Sequence, residues 1–177
     1  MASSNYTEVK ILKRGAYYMT PLQFFHLDEI EEHISDENRE EILLLGHASL
    51  RQALEDMLEN SEAYLVRKEG EPMLVVGGLW FGEHFPQMFA IFSNKLSDNF
   101  TAMARGSKML LGFFEKTNPA ISMTISAKYG VMVQWAGWLG FRPTSQYSLP
   151  NGESYVDFFR CTLDQNNVYD STRPVMH

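Results

Sequence analysis

Cysteine is nearly absent from this chain of 177 residues, which contains Cys161 alone. A single cysteine cannot form an intrachain disulfide, and it cannot supply the set of thiolates that a cysteine-rich zinc site needs. The small disulfide-stabilised secreted domains are therefore excluded. This cysteine usage is typical of a protein from a reducing compartment such as the cytoplasm.

Positive charge is scarce as well, because 15 Lys and Arg residues stand against 22 Asp and Glu residues and give a net charge of −7. Nucleic-acid binding depends on clustered cations, so we expect no nucleic-acid partner. Long apolar runs are also missing, and none reaches the roughly 18 to 20 residues of a membrane span or forms a signal peptide. We therefore expect no membrane association.

The sequence lacks several motifs that would identify a type of catalysis or a cofactor-binding site. The sequence contains no nucleophile elbow, no P-loop and no dinucleotide fingerprint. Its five histidines are scattered without the spacing of metal ligands, so we predict no metal site.

The chain does have the composition of an ordinary globular protein, with 45% hydrophobic and 13% aromatic residues. Residues 1–165 are predicted to form one domain and residues 166–177 a C-terminal tail. The periodicity predicts a strand, two helical pieces, three strands, a helix, a strand, a helix and a terminal hairpin. This order indicates an α/β (α+β) fold with a mixed central sheet of about six to seven strands and helices on both faces.

Turn and cap residues mark several boundaries. Ser35 or Asp36 is predicted to cap a helical segment over residues 37–59, which Gly46 either bends or splits in two. Both alternatives stay open. Further predicted turns and caps lie at Glu69-Gly70, at Asn151-Gly152 and among Ser97, Asp98 and Asn99.

The stretch KYGVMVQWAGWLGFRP is an apolar helix that stops at a glycine. Gly140 is predicted to adopt the left-handed conformation of a helix C-cap, and Phe141 to anchor the next strand in the core. Three more side chains are predicted to pack the helix onto the sheet, namely Trp135, Trp138 and Leu139.

The element order, with the helix ending WLGF and the hairpin after it, resembles the GNAT superfamily of N-acetyltransferases, whose fourth helix commonly ends in a Gly-Phe pair. Over residues 37–162 the chain is similar to phage proteins of the podovirus internal-virion-protein type. The segments ALEDML, GEP, MFAIFSNKLSDNF and WAGWLGF carry this closer resemblance. The resemblance implies a phage protein in the host cytoplasm, and it leaves open whether the protein enters the virion.

The resemblance also implies where acetyl-CoA would bind. In the superfamily a Gln/Arg-x-x-Gly-x-Gly/Ala loop after the central strand holds the pyrophosphate on its backbone amides. Here that segment reads SNKLSDNF, which has no glycine and places Asp98 where a phosphate would lie. The candidate cofactor-binding residues are Ala90, Ile91, Phe92, Lys95 and Ser97. The backbone amides of residues 90–92 are expected to be exposed in a splayed gap beside the strand AISMTIS.

For catalysis the resemblance implies an Asn at the start of the fourth helix and, one turn before the Gly-Phe pair, a tyrosine that protonates the leaving thiolate. These positions hold Tyr129 and Ala136, and alanine has no proton to donate. Tyr129 is the candidate acid, with Tyr147 and Tyr155 as alternatives. Each of these tyrosines is also explained as a half-buried residue with a purely structural role.

Glu83 and His84 are the candidate general bases, because they lie in the turn before the central strand and that strand has no carboxylate. A solvated turn accounts for the same two residues without any chemistry.

Three functions remain open. The first is a GNAT-like assembly or interaction protein of a phage that binds virion or host proteins and needs no cofactor. The second is an active acetyltransferase that uses acetyl-CoA and whose negative charge attracts lysine-rich proteins. The third is a structural virion subunit with exposed aromatic residues such as Trp80, Phe81 and Phe85. The oligomeric state is not predicted.

Overall fold

The computed structural model describes residues 9–44, 46–95 and 100–163, with only the backbone of residue 100. These ranges contain five α helices, which are α1 (Leu27–His33), α2 (Asp36–Leu44), α3 (Leu50–Asn60), α4 (Phe100–Phe114) and α5 (Gly130–Trp138). They also contain eight strands, which are β1 (Leu12–Arg14), β2 (Tyr17–Pro21), β3 (Ser61–Lys68), β4 (Met73–Trp80), β5 (Gln87–Phe92), β6 (Ala120–Ser126), β7 (Arg142–Ser148) and β8 (Ser154–Cys161). A 3-10 turn at Phe24–His26 precedes α1.

The eight strands follow the order β1-β2-β3-β4-β5-β6-β8-β7 in one mixed sheet. β5 and β6 are parallel, whereas β1–β2, β2–β3, β3–β4, β6–β8 and β7–β8 are antiparallel pairs. The α/β class with a mixed sheet is confirmed. None of the helices described here is long and apolar enough to cross a lipid bilayer.

The predicted strand count of six to seven is too low, because β2 was not recognised in the sequence. This strand has five residues and forms a hairpin with β1 around Gly15, whose φ of +60° suits a tight turn. Its three central residues are all buried, so it lacks the polar–apolar alternation that reveals a strand.

Backbone contacts divide the chain into two compact units. Of the described residues, 9–80 and 90–110 belong to the first unit, and 81–89 and 111–163 belong to the second. The predicted tail, residues 166–177, lies outside the described residues, and the domain boundary at residue 165 stays a prediction.

The first unit contains β1 to β4 with α1 to α3 and the larger part of α4. Its fully buried side chains include Met19, Leu27, Ile30, Leu54, Leu65, Met73, Leu79, Met103 and Leu110. A Cβ atom at Gly106 would lie 3.3 Å from Val66 Cγ1, so a glycine at this position lets α4 approach β3 closely.

Glu29 connects α1 to the edge of this core. Its carboxylate pairs with Arg67 on β3, with 2.6 Å between Arg67 Nη2 and Glu29 Oε2, and it accepts the Met73 backbone N–H of β4 at 2.8 Å. Burial alone would raise the pKa of Glu29, but the hydrogen bond and charge of Arg67, together with the Met73 amide, lower the pKa below its usual value. The ionised carboxylate therefore holds α1 on two strands at once.

The helical segment after residue 35 is two helices. Ser35 caps α2, because its Oγ accepts the Asn38 N–H at 3.2 Å, as predicted. The chain leaves this helix through Gly46, whose φ is +92°, and restarts at Ser49, whose side chain accepts the Gln52 N–H at 3.2 Å. Gly46 therefore splits the predicted segment into two helices and does not merely bend it.

The second unit contains the start of β5, the strands β6, β8 and β7, the end of α4, and α5. Gly140 has a φ of +86°, and the Phe141 N–H donates to Ala136 O at 3.0 Å, which closes the last turn of α5. Phe141 is buried, as are Trp135 and Leu139, so the predicted C-cap and anchor are confirmed.

Trp138 departs from the prediction, because it is 47% exposed whereas Trp135 and Leu139 are buried. The sequence of α5 has Gln134 as its one polar side chain, so its hydrophobic pattern does not distinguish the buried side from the exposed one.

Gly140→Ala is expected to destabilise the protein by about 1–2 kcal/mol through the left-handed backbone, and by about 1 kcal/mol more through contact with Arg160. A Cβ atom at this position would overlap the Arg160 guanidinium, which pairs with Glu115 and donates to Leu139 O at 2.9 Å. Urea unfolding measures the change in the free energy of unfolding.

The matched control is Gly152→Ala, because Gly152 has a φ of +87° and nothing within 4 Å of its added Cβ. Equal destabilisation by the two substitutions would show that the contact with Arg160 contributes nothing.

Candidate functional site

The end of β5 is bound by the connection between α1 and α2, all within the first unit. The Phe92 N–H donates to Asn38 Oδ1 at 2.8 Å, and the Phe92 carbonyl accepts the Ser35 N–H at 2.9 Å. Just beyond the strand, the Asn94 N–H donates to His33 O at 2.7 Å. The backbone of the connection thus forms a short antiparallel bridge with the end of β5, in which Ile34 lies opposite Ser93.

Asn38 is in position for this contact because α2 begins at its Ser35 cap. The cap fixes the first turn of the helix, and Ser35 Oγ in turn donates to Asn38 Oδ1 at 3.3 Å. Asn38 is a buried polar residue, so its amide oxygen needs the partners that it has. The Ser-x-x-Asn spacing therefore places the buried Asn38 amide oxygen where it accepts the N–H of Phe92, the last residue of β5.

The expectation that the amides of residues 90–92 are exposed is wrong for Phe92, whose N–H is buried and already bonded. Ile91 is also buried, and Ala90 is partly exposed. The assignment of Ala90, Ile91 and Phe92 as cofactor-binding residues stays a prediction.

The predicted phosphate contacts lie just after β5. Lys95 has an exposed side chain, and its backbone N–H donates to Ser93 Oγ at 3.3 Å. Ser97 lies outside the described residues, as do Asp98 and Asn99.

The candidate general bases, Glu83 and His84, are exposed residues of the loop between β4 and β5, in the second unit. In the described part of the chain neither side chain takes part in a hydrogen bond, an ion pair or a ring contact. The candidate acid Tyr129 precedes α5 as its N-terminal cap residue, and the Lys128 ammonium lies 5.0 Å from its ring centroid. The catalytic roles of all three residues stay predictions.

A polar network in the second unit was not predicted from the sequence. Gln87 Nε2 donates to Thr124 Oγ1 at 3.1 Å, and the Thr124 hydroxyl donates to Asp157 Oδ1 at 2.8 Å. The Ser145 hydroxyl donates to Asp157 Oδ2 at 2.7 Å. Four strands therefore contribute to one chain of hydrogen bonds that ends on both oxygens of a single carboxylate.

Two tyrosines lie beside this network. The rings of Tyr147 and Tyr155 stack at 6.1 Å between centroids, with 25° between their planes. Burial raises the pKa of Tyr147, and the negative charge of Asp157 and the neighbouring Tyr155 raise it further, so the phenol is protonated at neutral pH.

The sequence of β6 contains a pattern that indicates this polar network. In AISMTIS the polar residues Ser122, Thr124 and Ser126 alternate with apolar ones, which predicts one polar and one apolar face. Among the residues that the structure describes, no three His, Cys, Asp or Glu side chains are grouped so that they could hold a metal ion.

Comparison with known proteins gives the fold but no specific relative. No protein-family profile matches the chain, and no curated protein matches it by sequence. Solved structures do share its fold, and three of them have TM-scores between 0.61 and 0.69. Each is a likeness of fold alone, because the sequence identities are 10%, 12% and 16%.

The spermidine N-acetyltransferase of Vibrio cholerae, solved with CoA and spermine, is 10% identical and has a TM-score of 0.69, and the match covers 87% of this chain and 100% of that one. A GNAT-family acetyltransferase from Bacillus anthracis is 16% identical with a TM-score of 0.66, over 85% of this chain and 98% of that one. The ribosomal-protein-S18-alanine N-acetyltransferase of Escherichia coli is 12% identical with a TM-score of 0.61, and the match covers 82% of this chain and 94% of that one. The chain therefore has the fold of the GNAT-family acetyltransferases.

Asn38→Ala is expected to lower the free energy of unfolding by about 1–3 kcal/mol, because it leaves the buried Phe92 N–H without its acceptor. Asn60→Ala is the matched control, since Asn60 is exposed at the end of α3 and its side chain donates to the Asp56 carbonyl at 2.8 Å. We expect the control to change stability by less than about 0.5 kcal/mol in urea unfolding. Similar losses for the two variants would contradict the role given to Asn38.

Proposed function

We propose that this GNAT-fold chain has lost acetyl transfer and acts as a protein-binding module. The observation that carries the proposal is the hydrogen bond from the Phe92 N–H to Asn38. Acetyl transfer requires a donor that polarises the thioester carbonyl, and an N–H that is already bonded to a buried acceptor is a poor donor to a second group. The resemblance assigns that task to the amides of residues 90–92.

At two places the sequence departs from the pattern that the resemblance implies, and both departures support the same proposal. The position at which the resemblance implies a thiolate acid is Ala136, which is fully buried and has no proton to donate. The segment SNKLSDNF lacks the glycines that let a backbone approach a pyrophosphate. Each change removes a different requirement of the reaction.

The proposed partner is a virion or host protein, in the host cytoplasm or in the phage particle, as the resemblance implies. Two aromatic side chains of the loop between β4 and β5 support a binding role, because Phe81 is 58% exposed and Phe85 is 53% exposed. Aromatic residues are enriched at protein interfaces, where they contribute large apolar area.

An active N-acetyltransferase is the second candidate, and the pair formed by Asp157 and Tyr147 favours it. In that reaction the amine nitrogen bonds to the acetyl carbon while the carbon–sulfur bond breaks. The Asp157 carboxylate could accept the proton of the amine, and the protonated Tyr147 phenol could donate one to the thiolate. Both groups lie in the second unit.

Two measurements separate the two candidates. Isothermal titration of the full chain with acetyl-CoA is expected to give a dissociation constant weaker than about 1 mM, which corresponds to about −4 kcal/mol. Intact-mass spectra of a lysine-rich acceptor protein, incubated with the chain and acetyl-CoA, are expected to show no acetyl addition. An active acetyltransferase with the same acceptor is the control. Micromolar binding would contradict the proposed loss, and acetylated product would establish the second candidate.

A further inference from the structure

β7 forms one edge of the sheet, and its outer side is open. The strand is the last in the sheet order, it pairs with β8 alone among the described strands, and all seven of its residues are exposed. An edge strand presents backbone N–H and C=O groups with which a further strand can pair. The groups that point outward, and the residues that protect them, therefore determine what this edge can bind.

The strand register shows which residues of β7 point their backbone groups outward. The Leu149 N–H donates to Glu153 O at 2.8 Å, so these two residues form a hydrogen-bonded pair. Bonded and non-bonded pairs alternate along antiparallel strands, so Tyr147 also bonds to β8, whereas the N–H and C=O groups of Gln146 and Ser148 point away from it. Across the described ranges no strand pairs with these two residues from the open side.

The other side of β8 gives the same result. The Ala127 N–H donates to Ser154 O at 2.8 Å, and by the same alternation the even-numbered residues of β8 bond to β6. The odd-numbered residues, among them Tyr155, then bond to β7. Tyr155 lies opposite Tyr147, so Tyr147 faces β8 and the residues on either side of it face outward.

The two edge strands of the sheet are protected to different degrees. β1 has three residues and includes Lys13 and Arg14, and short, charged edges discourage pairing. β7 is protected at its start, by Pro143 and by the register shift between Pro143 and Ser145. The rest of the strand and the residue after it, 145–149, have no charge, no proline and no further register shift. This segment therefore lacks the features that keep an edge from pairing.

We propose that β7 pairs with β7 of a second copy of this chain, antiparallel about a two-fold axis at Tyr147. For two strands to exchange hydrogen bonds, residues with outward backbone groups must lie opposite each other. The axis places Gln146 of each copy opposite Ser148 of the other, so four backbone hydrogen bonds join the two sheets. The interaction surface is the outer edge of residues 145–149, and its partner is the same edge.

Neighbouring registers give fewer hydrogen bonds. An axis at Ser148 would place Gln146 opposite Pro150, which has no N–H to donate. An axis at Gln146 would place Ser148 opposite Thr144, at the register shift of the strand. The axis at Tyr147 avoids both problems.

The sequence of this segment favours a second copy as the partner. A two-fold axis brings side chains close to their own copies, so charged residues near the axis would repel each other. Residues 143–152 contain no charged side chain, although the whole chain has a net charge of −7. A strand from another protein would find the same backbone groups but no charge to select it.

Tyr147 also suits a position on the axis. Its side chain is 42% exposed, and its ring stacks on Tyr155 with 6.1 Å between centroids. In the paired strands the two Tyr147 residues lie directly opposite each other, and aromatic cross-strand pairs stabilise sheets. Four tyrosine rings then form one row across the joined sheet.

The pairing of β7 does not rest on the proposed loss of acetyl transfer, because it involves no residue of the first unit and no acetyl-CoA. Five residues from each copy make a small interface, so we expect a weak dimer with a dissociation constant of about 10–100 μM. Dimerisation is measured without acetyl-CoA, so that its failure and the failure of the proposed function are distinguishable.

The test compares the full chain at two concentrations. Analytical ultracentrifugation is expected to show mostly single copies at about 1 μM and mostly pairs at about 500 μM. Amide hydrogen exchange, resolved by mass spectrometry with electron-transfer fragmentation, locates the contact. We expect the amides of Gln146 and Ser148 to exchange fast in the dilute sample and slowly in the concentrated one. The Tyr147 amide, which bonds to β8, is the internal reference and should exchange slowly in both.

Three results would overturn the proposal. The first is a single copy at both concentrations. The second is a dimer whose Gln146 and Ser148 amides still exchange fast, because its interface then lies elsewhere. The third is slow exchange of these two amides in the dilute sample, because another part of the same chain then covers the edge.

Three variants sharpen the test. Gln146→Pro removes one outward N–H from each copy and keeps the bonds to β8, since proline is tolerated where the N–H of an edge strand faces outward. It is expected to weaken dimerisation at least about tenfold. Gln146→Ala is the matched control, because it removes the same side chain and keeps the N–H, and it should change the dissociation constant by less than about twofold. Ser148→Pro removes the other outward N–H and should act like Gln146→Pro.

Urea unfolding at about 1 μM, where single copies are expected to predominate, verifies that each variant is folded. Equal dimerisation by Gln146→Ala and by whichever proline variant folds would overturn the proposal, because backbone pairing requires the N–H and not the side chain.

Discussion

The hydrogen bond between Asn38 Oδ1 and the Phe92 N–H holds the end of β5 against α2 in the first unit. It joins the first turn of α2 to the last residue of β5, and it depends on the Ser35 cap that starts this helix. Because an amide N–H has one proton, the contact that holds the helix on the strand also removes a donor from chemistry. The proposed loss of activity rests on this contact.

In the second unit the two faces of β8 carry charged side chains with different partners. Arg160 lies opposite Ile121, pairs with Glu115 and binds the carbonyl at the end of α5, whereas Asp157 lies opposite Thr124. Alternation along the strand places these two charged side chains on opposite faces, so the guanidinium cannot neutralise the carboxylate. The face with Arg160 supports the glycine-capped helix, and the other face carries the Asp157 carboxylate with its two hydroxyl donors, Thr124 and Ser145.

Cap residues, glycines and hydrophobic periodicity made most of the helices and strands predictable from the sequence. The contacts that were not predicted join residues far apart in the chain. The Ser35 cap, the helix end at Gly140 and the burial of Phe141 follow from residues within a turn of each position, whereas the sequence left open whether Gly46 bends or splits its helix. The overlooked β2 and the exposed Trp138 lie in segments whose apolar residues have no clear period. The bonds from Asn38 to Phe92 and from Thr124 to Asp157 join residues 54 and 33 positions apart, and no single-sequence pattern indicates such pairs.

Amide hydrogen exchange at Phe92 reports whether this N–H is held by Asn38 or is available to a thioester. The Ser93 N–H, which donates to Leu74 O at 3.0 Å, is the internal reference. We expect both amides to exchange slowly, and we expect saturating acetyl-CoA to change neither rate. A Phe92 amide that exchanges like a solvent-exposed one, or that becomes protected only when acetyl-CoA is added, would show that the N–H is free for catalysis and that the proposed loss of activity is wrong.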